Sequence, residues 1–131
     1  MPNALDYTVK AFDWQGTAYE GTFSFRLTRV DAPPHFDRSV GAVKGDPTPV
    51  TFDAFTIAGT LTIADLGLND VVLEGIEYVS PLGPPLCMIF LAPAVSGVTL
   101  SLFPGDSAFQ TVEGPLVAGG QVFTVMGRQT S

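Results

Sequence analysis

The sequence predicts an all-β fold: a single antiparallel domain of about eight or nine strands, built as a Greek-key β-sandwich or as a small closed β-barrel. Three observations carry this. Apolar and polar residues alternate with period two through much of the chain, as in strands with one buried face. Gly, Pro, Asn and Asp punctuate the alternating runs at short intervals, as turns do. No window carries the apolar period of an amphipathic helix, so there is no crossover helix to join parallel strands and the pairing should be antiparallel.

The elements follow in order. Leu5, Tyr7, Val9 and Ala11 alternate with Asp6, Thr8 and Lys10. A turn at Gln15–Ala18 leads to the clearest strand, where Phe23, Phe25 and Leu27 alternate with Thr22, Ser24, Arg26 and Thr28. The two segments read as a long hairpin. Asp31–Pro49 contains Pro33, Pro34, Pro47, Pro49, Gly41 and Gly45 with little alternation, and is expected to be a long loop. Strands resume at Val50–Phe55 and Thr56–Ala64, with a connection over Asp65–Asp70. Val71–Val79 follows, then a Pro-rich turn at Ser80–Pro85. Cys87–Ala92, Gly97–Phe103 and Gln121–Arg128 complete the set, with Val117 in a short strand before Gly119-Gly120 and with Gly114-Pro115 read as punctuation.

The two halves of the chain differ. The N-terminal strands are apolar on one face only. In the C-terminal ones Cys87, Ile89 and Leu91 oppose Met88, Phe90 and Ala92, while Val122 and Met126 oppose Phe123 and Val125. Strands apolar on both faces are usually covered on both. With no helix to do the covering, the second face should meet another sheet, a long loop, a ligand or another subunit. Met88, Phe90, Phe103, Phe123 and Val125 are the expected ligand-lining or interface residues.

Composition excludes several functions. Six basic residues against thirteen acidic ones give a net charge of −7, and the basic residues are scattered. Nucleic-acid binding needs a basic stripe, which is missing, so no nucleic-acid partner is expected. The longest apolar run, Leu86–Val95, is interrupted by Pro93 and too short for a membrane-spanning helix, so no membrane span is expected. One cysteine, Cys87, forbids an internal disulfide and mildly favours a reducing compartment. The N-terminal residues carry no signal-peptide pattern, which makes a cytoplasmic location the default expectation.

Catalytic and metal signatures are thin. His35 is the one histidine; in Pro34-His35-Phe36-Asp37 an extended backbone puts His35 and Asp37 on one side, where they are candidates for a loop site. Zinc wants three or four ligands, so no metal and no other cofactor is expected. There is no Gly-x-Ser-x-Gly elbow, and Cys87 lacks a local cation to activate it. Glu74 and Glu77 share a strand, but their spacing sends them to opposite faces. Asp65, Asn69 and Asp70 lack the spacing of a calcium loop and read as turn residues. Trp14 and Tyr19 flank the first turn; an aromatic pair there can stack on a flat ligand, although cross-strand packing is the commoner use.

Together these readings point away from catalysis. They favour a binding or assembly domain that self-associates, or docks on another protein, through its two-sided C-terminal strands. The alternative is a small barrel enclosing an apolar small molecule, as a carrier or a metal-independent enzyme.

Overall fold

The computed structural model describes residues 4–29, 36–38, 50–79, 85–105 and 109–130. Among them the chain forms β1 (Ala4–Phe12), β2 (Ala18–Arg29), β3 (Phe36–Arg38), β4 (Val50–Ile63), β5 (Leu68–Val79), β6 (Pro85–Leu91), β7 (Thr99–Pro104), β8 (Thr111–Ala118) and β9 (Gln121–Gln129). Of the predicted long loop at 31–49, the described part is β3, which pairs with the start of β4; the rest, His35 included, lies outside the described residues.

Leaving β3 aside, each strand runs antiparallel to the next in chain order, β2 pairs directly with β4, and β9 returns to pair with β1. The fold is therefore a closed eight-stranded barrel. Of the two architectures compatible with the sequence it is the barrel, with up-and-down rather than Greek-key connections. Closure removes the unpaired edges of an open sheet.

A barrel of this strand number is just wide enough for side chains to fill. The inward positions supply them: Leu5, Tyr7, Val9 and Ala11 from β1, Phe23 and Phe25 from β2, Ile57, Leu61 and Ile63 from β4, and Val71 and Leu73 from β5. Tyr7, Phe23, Phe25, Phe90 and Phe109 form an aromatic cluster with ring centroids 5.4 to 6.4 Å apart. The Tyr7 hydroxyl donates to the carbonyl of Phe109 at 2.6 Å across a buried path. Phe109 has φ 59°, an uncommon value for a bulky residue, and that bond helps hold it there. Tyr7→Phe orphans the carbonyl and is expected to cost about 1–3 kcal/mol. An unchanged thermal midpoint would show that the bond contributes nothing.

The structure departs from the sequence reading in three elements. β4 is continuous through residue 55 instead of two segments. The expected connection at 65–70 is shorter, because a single 3-10 turn at Ala64–Leu66 already delivers the chain into β5. And β8 is a full strand from Thr111 through Gly114 and Pro115. The β7–β8 ladder skips the rungs opposite those two residues, where Pro115 has no N–H to give. A Cβ on Gly114 would lie 1.8 Å from the Ser101 carbonyl oxygen, so only glycine fits that approach.

Candidate functional site

The barrel sorts the apolar residues of the C-terminal strands by face. Met88, Phe90, Phe123 and Val125 point into the barrel and are buried. Only Phe103, of the five expected ligand or interface residues, stands on the outside, half exposed. Of the five, then, only Phe103 stands where an outer interface could use it, and the other four lie on the inward face. The two-faced character is real, but strands apolar on both sides carry no local mark of which side faces inward.

The outward apolar residues are the others. Ile76 of β5 stands directly opposite Ile89 of β6, and Leu91 occupies the next outward position along β6. Ile89 is 43% exposed, Leu91 59% and Phe103 50%. Ser101, opposite Ile89, places Phe103 two residues along the outer face of β7. The wall formed by β1, β2 and β4 differs. Asp6, Thr8 and Lys10 of β1, Glu20, Thr22 and Arg26 of β2, and Thr60 and Thr62 of β4 occupy its outward positions. Lys10 and Glu20 meet there at 4.0 Å in an exposed pair of small energetic value.

Between the two walls runs a shallow groove of about 540 Å³ over β1, β9, β8 and β7. Phe103, Met126 and Phe12 give it an apolar floor, and Lys10, Glu113 and Arg128 rim it. Met126 lies opposite both Lys10 and Glu113, and Glu113 lies opposite Phe103, so one cross-strand row joins these residues.

Of the Glu74 and Glu77 pair, Glu77 is the inward one. It is 3% exposed, the one buried charged residue among those described, and its Oε2 has no hydrogen-bond partner. It sits in the inward row between Phe55 of β4 and Met88 of β6. Burial pushes its carboxyl up from 4.5 to about 7. The signal was present: Val71 and Leu73 set the inward phase of β5, and the same phase carries Glu77 inside while Glu74 faces out. The expected separation of Glu74 and Glu77 to opposite faces is observed.

The remaining candidates are spread over the turns and strands. In the first turn Asp13 accepts at Oδ1 from the backbone N–H groups of Gln15 and Thr17, both at 2.9 Å, while the Tyr19 hydroxyl donates to its Oδ2 at 3.2 Å. The Tyr19 ring meets Phe123 edge-on at 6.1 Å, whereas Trp14 is 86% exposed, so the turn does not bring the two aromatics together as one platform. Asp70 accepts from the Thr62 hydroxyl and donates its backbone N–H to it, as turn chemistry predicts. Cys87 is half-buried, and burial pushes its thiol up, away from a reactive thiolate. Asp37 lies in β3, where only the backbone is described. Among the described residues no group of three or more His, Cys, Asp or Glu side chains converges as a metal site, and no helix is long and apolar enough to cross a membrane.

Comparison with protein-family models, with curated proteins and with solved structures finds no match to this chain.

Proposed function

We propose that this barrel is a non-catalytic binding or assembly module that self-associates through the outer wall of β5, β6 and β7. The observation that carries the reading is the set of exposed apolar side chains on that wall: Ile76 facing Ile89, Leu91, which stands opposite Glu74, and Phe103, two residues beyond Ser101. The inward positions of the same strands are already filled by core residues, so the outward ones are left for a partner. Clusters of exposed apolar side chains mark interaction sites, and burial of each large side chain stabilises by about 1.5–3 kcal/mol. A two-fold homodimer, in which the same patch meets itself, is the commonest way to cover such a wall. The opposite wall, with Asp6, Lys10, Glu20 and Arg26 at outward positions, stays in water and also sets this barrel apart from one whose whole outer belt faces lipid.

Light scattering on the wild type and on Ile89→Asp and Leu91→Asp tests the reading. The wild type is expected to be a dimer or larger. The variants are expected to be folded monomers, since both positions point outward and a charge there is solvated, with a thermal midpoint lowered only by the stabilisation that association gives the wild type. A wild-type monomer at high micromolar concentration, or variants that keep the wild-type mass, would defeat self-association through this wall.

A further inference from the structure

We propose that the groove over β1, β9, β8 and β7 binds a free α-amino acid with a large apolar side chain, its carboxylate on Arg128 and its ammonium on Glu113. Both residues are exposed, and among the described residues neither makes an ion pair or a side-chain hydrogen bond. The register sets them diagonally: Glu113 of β8 stands opposite Met126 of β9, and Arg128, two residues further along β9, stands opposite Thr111. Diagonal neighbours on paired strands lie about 7–8 Å apart, within reach of side chains this long. The two charges nevertheless stay apart. Lys10, the other cation on the rim, is met by Glu20 at 4.0 Å, and Asp6, the next outward residue beyond Thr8 on β1, makes no ion pair with Arg128. Space for a ligand comes from small residues. Thr8 and Thr111 flank Arg128 on the neighbouring strands, and Gly105, whose N–H donates to the Thr111 carbonyl at 2.9 Å, closes the same end of the groove.

That setting selects the ligand class. A simple anion would satisfy Arg128 and be repelled by Glu113; a simple cation would do the reverse. A compact zwitterion suits both. The guanidinium fork takes a carboxylate through two parallel hydrogen bonds, and an ammonium donates to the Glu113 carboxylate. The apolar body then lies on Phe103 and Met126, each about half exposed, with Phe12 beyond them. Covering those side chains supplies most of the affinity, because exposed ion pairs alone are weak. The groove's volume of about 540 Å³ falls within the roughly 300–1,000 Å³ of small-molecule sites. Of the wall assigned to self-association, the groove uses Phe103 and no other residue, so either reading can fail alone.

The test is nitrogen–proton NMR of the full chain titrated with phenylalanine, phenylalaninamide, N-acetylphenylalanine and alanine. Phenylalanine is expected to bind with a Kd of about 1 mM or tighter, as suits a ligand of its size, and to shift the amides of Glu113, Met126 and Arg128. The other three each lack one charge or the apolar body and should bind about three- to tenfold more weakly. Arg128→Gln should erase the preference for phenylalanine over phenylalaninamide and keep the preference over N-acetylphenylalanine; Glu113→Gln should do the opposite. Both positions are exposed, so neither variant disturbs the core. Ile89→Asp, which leaves every groove residue in place, should bind as the wild type does whatever its mass, and loss of binding there would overturn a site built within one chain. No amide shift at about 10 mM phenylalanine, roughly tenfold above that Kd, would also overturn the proposal. So would shifts confined to other parts of the barrel, N-acetylphenylalanine binding as tightly as phenylalanine, or unchanged preferences in the two glutamine variants.

Discussion

Phe90→Asp is expected to leave the chain unfolded, while Phe103→Asp on the neighbouring strand folds with a nearly unchanged midpoint. Phe90 is fully buried, its ring 5.4 Å from that of Phe23 and 6.4 Å from that of Phe25. It also fills the space over Gly75, where an added Cβ would lie 2.9 Å from the ring. Truncating a buried phenylalanine costs about 3–5 kcal/mol. An unpaired carboxylate in the same place adds several more, and a domain has only about 5–15 kcal/mol to lose. Phe103 faces the groove on the outside, where an aspartate is solvated. Circular dichroism and thermal melts on the two variants decide the matter. A Phe90→Asp chain that melts like the wild type would mean that the barrel interior is not packed around this ring.

The contrast between those two phenylalanines shows how far the sequence reaches. In β1 and β2 the alternation is one-sided, so Leu5, Tyr7, Val9, Phe23 and Phe25 identify the inward face without help from tertiary structure. In β6 and β9 both phases are apolar, and the choice between Met88 with Phe90 and Ile89 with Leu91 depends on which side the barrel closes. Closure itself is written in the β2–β4 and β1–β9 pairings, contacts between distant segments that no local pattern records. β8 was hidden for a different reason. Gly114-Pro115 is ordinarily a strand breaker, but here a skipped stretch of ladder accommodates both residues. Glu77 was legible by phase alone. A single carboxylate in an apolar strand gives no motif, and its burial needs the closed barrel.

Glu77→Gln is expected to abolish a loss of stability that the wild type suffers between pH 4.5 and about 7. The sign follows from proton linkage. The folded-state carboxyl holds its proton up to about 7, because burial disfavours the charged form, whereas the unfolded chain releases it near 4.5. Through that interval the folded state binds more protons than the unfolded one, so raising the pH favours unfolding. Below the interval both states are protonated and the penalty is absent; above it the penalty is complete and constant. At 1.36 kcal/mol per unit the full effect is roughly 3 kcal/mol, or about 10 °C in midpoint for a chain of this size. Glutamine keeps the shape and the polarity but cannot ionise. It will therefore share any cost of a neutral polar group in that site and show none of the pH-dependent part. Denaturant melts of both proteins across this range measure the difference directly, and the gap in favour of the variant should open as pH rises and level off above the midpoint. Parallel stability curves for the two proteins would show that Glu77 is solvated in the native state.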